Sequence, residues 1–339
     1  MTSAESEPGV RRRATIADVA REAGVSRTTV SHSLSGLGHV NSDTRQRVMD
    51  TAERLGYRPS VRAQRLRSGR SQAIAVLSSM PSAVSAGVSR LGFFTELAMG
   101  CAQTALLSGY TLVLTPPDQQ NVLDRVDIDG AILLEPAPGD ELARELTARG
   151  IPHITVGAAP GPNDVDLHGE ESARLIFEHF AERGARAPGI LLGSSERESQ
   201  RAFRQHYVDL AARQGFAPVI ASADEAGGEQ AGRRETARML AEHPEIDALC
   251  VPVDAFATGA VQAAEEAGRT VGRDLLVATR YDGVRAQTSS PPLTALDLHL
   301  TQVSDAAVTL LLSRLGGQAD GKPITPPPPT LIARASTGA

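Results

Sequence analysis

Two cysteines in 339 residues leave no material for a disulfide framework. Cys101 falls within a helical pattern and Cys250 closes an apolar run, neither in a CxxC or histidine-rich setting, so both are expected as buried free thiols. Long apolar runs are scarce too. Residues 131–134 and 306–312, the latter interrupted by Thr309, fall far below the roughly 20 residues of a bilayer crossing, so no membrane association is expected. The first 13 residues place Glu5, Glu7, Arg11, Arg12 and Arg13 where a secretory signal needs an apolar core, which points to the cytoplasm and away from a secreted solute-binding protein. Signatures of catalysis are also missing. Gly193-Ser194-Ser195 is not a Gly-x-Ser-x-Gly elbow, no Walker loop occurs, and Gly36-Leu37-Gly38 lacks the preceding strand of a nucleotide fingerprint. The 8 histidines are scattered rather than set at metal-ligand spacing, so neither a metal, nor a cofactor, nor an enzyme is expected.

What is present is unevenly distributed. Residues 1–70 carry 13 arginines against 7 acidic residues, a net +6, whereas the remainder carries 21 basic and 33 acidic residues, a net −12. A basic module is joined to an acidic body. Such an end commonly faces a polyanion, because neutralising phosphates releases counterions; a solvated tail is the alternative. Chain length argues for two or three domains.

Thr15 precedes Ile16, Val19, Ala20 and Ala23 at helical spacing, which predicts a short capped helix ended by Gly24 in the left-handed conformation. Ser26 can cap a second helix with Val30 and Leu34 inward. Arg27, Thr28, Ser31 and His32 then point outward together. A third helix after Ser42 carries Val48, Ala52 and Leu55 and stops at Gly56, completing a three-helix helix-turn-helix core. Residues 60–67 are too short and too basic for a stable isolated helix.

From Ser71 apolar strands alternate with helices. Strands are expected at 73–77, 111–114, 131–134 and 153–156, with helices at 93–107 and 140–149. After a Gly- and Pro-rich loop at 157–162 the pattern repeats, with helices at 170–183, 198–214, 228–242 and 255–267 and strands at 189–192, 219–221, 248–251 and 275–278. The fold class is therefore an all-α helix-turn-helix headpiece followed by an α/β body of two doubly wound parallel-sheet subdomains, with a cleft where the two halves face each other. Pro326 to Pro329 read as an extended link, with no zipper-like heptads after it.

Residues Ala14-Thr15-Ile16-x-Asp18-Val19-Ala20-x-x-Ala23-Gly24-Val25-Ser26, then Thr29-Val30-Ser31 and Leu55-Gly56-Tyr57-x-Pro59-Ser60, resemble the headpiece and hinge of the LacI/GalR family of transcriptional regulators. The resemblance implies a repressor that binds double-stranded, pseudo-palindromic operator DNA as a homodimer, a tetramer being left open. It divides the chain into a disordered tail at 1–13, a headpiece at 14–58, a hinge helix and linker at 59–70, and a periplasmic-binding-protein-like body at 71–339. Within the body, 71–158 with 293–323 make one subdomain and 159–292 with 324–339 the other, Pro291-Pro292-Leu293-Thr294 matching the family's return crossing.

By that resemblance the second helix enters the major groove, with Arg27, Thr28 and His32 at base-contacting positions; arginine can pair with guanine O6 and N7. Thr15, Ser26, Thr29, Ser31, Asn41, Tyr57 and Ala63 take the other DNA-contacting positions, and Leu66 the place of the leucine that wedges into the minor groove at the dyad. Arg27 and His32 are equally at home as solvated surface residues, and Leu66 as the first core residue of the next domain. A small-molecule effector, a sugar or other metabolite acting as inducer or corepressor, is implied in the cleft. Phe93 and Phe94 match the family's cleft-facing aromatic pair, core packing being the other reading. Asp254 matches an effector-binding acid, and a helix cap explains it as well. Where the family usually has an arginine, the chain has Phe203, with Arg201 beside it; where the family has Gly-Phe-Asp-Asp, it has Thr279-Arg280-Tyr281-Asp282. Arg280, expected at the cleft mouth, suits a carboxylate or phosphate.

Overall fold

Thr15 opens the first helix as the capping pattern predicts. In the computed structural model its hydroxyl accepts from the Asp18 N–H, and the Asp18 carboxylate accepts from the Thr15 N–H at 3.0 Å, closing a capping box around helix α1, Ile16–Ala23. Gly24, at φ 65, ends the helix in the left-handed region. Ser26 Oγ then accepts from the Thr29 N–H at 3.0 Å and starts α2, Arg27–Ser35. Asn41, rather than a residue inside the helix, caps α3, Ser42–Arg54. Val19, Ala20, Ala23, Val30, Val48 and Ala52 form the small buried core of this unit, with Leu34, Leu55 and Tyr57 packed around it.

The structure describes residues 14–35, 39–58, 69–85, 92–115, 121–158, 161–317 and 325–338. The polypeptide divides into two units, Met1–Ser71 and Gln72–Ala339. Ala63, Leu66 and the expected hinge at 60–67 lie outside the described residues.

In the second unit, strands β1 (Ala73–Ser78), β2 (Thr111–Leu114), β3 (Gly130–Leu134), β4 (His153–Val156) and β5 (Asp164–Val165) form a parallel sheet in the order β2-β1-β3-β4-β5. Every residue of β1 and β3 is buried, as central parallel strands require. After β1 comes the one-turn helix α4, Ser82–Ser85; α5, Phe93–Leu107, and α6, Glu141–Ala148, are the crossovers. The Gly- and Pro-rich loop is not the end of this sheet, because β5 follows it and pairs with β4; the first lobe therefore extends beyond the expected boundary at 158.

The chain then builds a second sheet, with helix α7, Gly169–Glu182, leading into β6 (Pro188–Gly193), α8 (Glu198–Gln214), β7 (Val219–Ala223), α9 (Gly228–Glu242), β8 (Ala248–Cys250), α10 (Asp254–Glu266) and β9 (Leu276–Ala278). Its order is β7-β6-β8-β9, all parallel. Helices α9 and α10 cross closely because Gly232 and Gly259 carry no side chain: a Cβ on Gly232 would strike Phe256, and one on Gly259 the Glu229 carbonyl.

After the short helix α11, Val284–Thr288, strand β10, Ala295–Asp297, lies outside both parallel sheets, and α12, Leu300–Leu315, packs on the first sheet beside α5. The expected link at 326–329 runs into β11, Thr330–Ile332, which pairs antiparallel with β10. Three-residue strands carry too few alternations to be read from hydropathy. Cys101 and Cys250 are both buried free thiols, as expected.

Candidate nucleic-acid interface and effector cleft

The exposed edge of α2 is unusual for a helix start. Arg27 occupies its first turn, where no acidic residue stands, although the positive end of the helix dipole disfavours a cation there. Neighbouring arginines are engaged: Arg21 pairs with Asp18 at 2.6 Å, Arg54 with Glu22, and Arg47 Nε donates to the Ala23 carbonyl at 3.2 Å. Arg27 makes no such bond among the described residues and is exposed, as is Thr28. Ser31 and His32 lie half-buried on the following turn, and Thr29 is tied to Ser26, their hydroxyls 2.9 Å apart. Asn41 spends its Oδ1 on the Asp43 N–H. Tyr57 is half-buried, and burial pushes its hydroxyl pKa up. The sequence-predicted residues of this unit thus fall on α2 and its Ser26 start, on the caps of α1 and α3, and just after α3 at Tyr57.

In the body, a cluster joins the two lobes. Glu135, which follows β3, accepts from Arg280 Nη1 at 2.6 Å, and Arg280 follows β9 of the other sheet. Neither is at a cleft mouth: Glu135 is 5% exposed and Arg280 6%. The Arg280 guanidinium lies 5.9 Å from the centroid of the Phe93 ring, which meets Tyr281 edge-on at 5.7 Å. Tyr281 donates in turn to Glu96 on α5, and burial followed by that carboxylate raises the phenol pKa. Asp282 is clamped by Arg334, Nη1 to Oδ1 at 2.6 Å. Phe93 therefore joins the cluster, while Phe94, 3% exposed, packs in the core.

Asp254 does not cap α10; Val253 holds that position, and the Asp254 carboxylate accepts from the Ala255 N–H at 2.8 Å. Burial raises its pKa against the pull of Arg285. Two sequence expectations fail. Phe203 is fully buried among core residues, and Arg201 is exposed on α8, 3.5 Å from Glu198, in a groove of about 970 Å³ against α7. The reason is helical phase: Phe203, Tyr207 and Ala211 recur every fourth residue and turn inward, which sends Arg201 out.

Arg197, just before α8, was missed. It is buried, pairs with Glu225 beyond the end of β7, and donates to Ser195 Oγ at 2.7 Å. Glu135 and Tyr281 were missed as well, although a charge directly after the apolar run Ala131-Ile132-Leu133-Leu134 was a readable signal. The lobes also touch where Ala83 of α4 abuts Gly228 and Val84 packs on the second-lobe core. Among the described residues no group of three or more His, Cys, Asp or Glu is placed to hold a metal ion, and no helix is long and apolar enough to cross a membrane.

Residues 15–60 match the model of bacterial regulatory proteins of the lacI family, and residues 177–337 that of the periplasmic binding protein-like domain. Catabolite control protein A of Priestia megaterium is 27% identical over 338 residues, spanning 95% of this chain and 99% of the relative. The HTH-type transcriptional repressor PurR of Erwinia tasmaniensis is 28% identical over 340 residues, spanning 95% and 96%. Among solved structures, the lac repressor dimer bound to operator and the anti-inducer ONPF superposes with a TM-score of 0.77 at 26% identity, over 97% of this chain and 100% of that one. The complex of the transcriptional regulator CelR with cellobiose, at 23% identity and a TM-score of 0.66 over 96% and 100%, shares the fold.

Proposed function

Because the chain belongs to the LacI family of DNA-binding transcriptional regulators and joins its helix-turn-helix to a periplasmic-binding-protein-like body, we propose that it represses transcription in the cytoplasm by binding a pseudo-palindromic operator as a homodimer, released or recruited by a small molecule in the inter-lobe cleft. The observation that carries this reading is the exposed edge of α2, where Arg27 stands against the helix dipole without an ion pair among the described residues. A residue that weakens its own helix and is otherwise unused suits a base contact. Arg27, Thr28 and His32 read bases, and Thr15, Ser26, Thr29, Ser31, Asn41 and Tyr57 fix the helix in the groove, mostly through phosphates. The headpiece at 14–58, the hinge at 59–70 with Ala63 and Leu66 on the minor groove, and the body from 71 are the working divisions.

A second copy is the partner we assign to the apolar face of α5 and β2. Leu106 is 73% exposed, Leu107 83% and Met99 64% there, a concentration that a monomer rarely shows. In the cleft, Phe93, Arg280 and Asp254 are the effector residues; Asp282 positions Arg334, and Phe94, Phe203 and Arg201 leave the set.

DNase footprinting of the purified protein on its own upstream region tests the reading. Two protected half-sites related by a dyad are expected, since one headpiece reads only a few base pairs. Full-affinity protection of a single asymmetric half-site would sink it.

A further inference from the structure

Beyond the ends of β6 and β9 the second lobe carries buried donors that reach no acceptor among the described residues. Arg280 is 6% exposed and spends Nη1 on Glu135. Its Nε and Nη2, the two nitrogens whose parallel N–H bonds match a carboxylate or phosphate, reach no acceptor among the described residues. Thr279 Oγ1 next to it, Arg197 Nε and Arg285 Nη1 are buried without a partner among the described residues as well. Unpaired buried donors are expensive, and a folded chain retains them where something else completes them.

Glu135 adds an independent sign. Its backbone sits at φ 40, a left-handed conformation that a glutamate adopts only when its surroundings hold it there. Strain and burial together fix its carboxylate against one edge of the guanidinium, while the Phe93 ring lies 5.9 Å from the carbon at the centre of the group. Glu135 comes from the first lobe and Arg280 from the second, so whatever takes the remaining edge of Arg280 acts on the contact between the lobes.

We infer that the effector is an oxyanion-bearing small molecule, a carboxylate or a phosphate ester, whose oxygens take Nε and Nη2 of Arg280. Glu135 acts as an internal carboxylate that orients the guanidinium and opposes the incoming anion. A neutral sugar offers hydroxyls but no charge to complete that fork. This inference rests on the cleft being the effector site proposed above.

The test uses the full chain, with citrate and galacturonate as carboxylates, glycerol phosphate as the phosphate, and glycerol and galactose as neutral counterparts at equal ionic strength. Thermal shift reads binding and operator-DNA anisotropy reads the response. At least one anion is expected to raise the melting temperature and change operator affinity; which arm responds identifies the oxyanion. Arg280→Gln should weaken that anion's binding by more than about tenfold, and Glu135→Gln should strengthen it. The double variant Arg280→Gln with Glu135→Gln keeps a hydrogen-bonding pair, so circular dichroism can separate loss of response from loss of fold. An anion response that survives in the folded double variant overturns the inference. So does a neutral compound that alone shifts operator affinity, although the cleft reading then stands. Silence from both sets overturns both.

Discussion

Arg27 and Asp164 are each held in a state that local energetics oppose. Arg27→Ala is expected to cost about 1–3 kcal/mol on the best operator and to relax preference at one base in each half-site, as loss of a bidentate base contact does. Competition binding against a set of single-base operator variants measures this; equal losses on operator and random DNA make Arg27 a phosphate contact instead. Asp164 is 8% exposed, accepts from the Ala158 N–H at 3.0 Å and from Thr155 Oγ1 at 2.8 Å, and has one oxygen without a partner among the described residues. Burial pushes its pKa up to about 6. Below its ordinary pKa both folded and unfolded forms are protonated and the group is neutral in effect. As pH rises from there toward about 6 the unfolded chain gives up its proton while the folded protein, with its buried carboxyl, keeps it, and stability is lost. Asp164→Asn should therefore raise the stability of the body by roughly 2 kcal/mol at pH 7.5 and leave it nearly unchanged near pH 4. Urea titrations at the two pH values decide the matter; a gain that is equal at both contradicts the sign.

Short elements here are specified by their ends. Helix α1 is eight residues long, too short to persist alone, and it stands because Thr15 and Asp18 close its N-terminus, Gly24 closes its C-terminus and Val19, Ala20 and Ala23 are buried. Those signals are local, so they were legible in the sequence. Helix α8 shows the limit. Its span was readable as residues 198–214, but which of its faces met the core depended on what packed against it, and the two positions assigned to the cleft fell one in the core and one in solvent. Helix α5 raises a question of assembly. Its inner face, Phe94, Leu97, Ala98 and Cys101, is buried, whereas Leu107 is 83% exposed near its end. Leu107→Asp touches no core contact, so the fold should change by less than about 0.5 kcal/mol. The proposed homodimer should dissociate at much lower dilution stress, seen as a monomer in sedimentation velocity at micromolar concentration, with operator binding weakened accordingly. A variant that remains dimeric removes this face from the interface.

Across the whole molecule, charge and cleft geometry divide the work. The N-terminal 70 residues are net +6 and the rest net −12, so the phosphate term belongs to one end of the chain and the body repels DNA. If the dimer makes about 6–10 phosphate contacts, operator affinity should fall about 10³–10⁵-fold between 50 and 200 mM salt. Effector affinity at the site proposed at Arg280, which is buried and shielded from the electrolyte, should change far less over that range. Calorimetry of effector binding beside anisotropy on operator compares the two; parallel salt slopes contradict the division. The sequence by itself determined whatever depends on neighbours along the chain: the capped headpiece helices, the alternation of apolar strands and helices, and the asymmetry of charge. Caps, periodicity and turns act over a few residues, and each is readable there. Only the tertiary structure decided that Arg280 is buried rather than at the cleft mouth, that Glu135 and Phe93 stand beside it, and that Arg201 does not. Arg280 and Glu135 are 145 residues apart in the chain. The strands before them, β3 and β9, belong to different sheets, and such a contact is set by packing between lobes rather than by any local pattern.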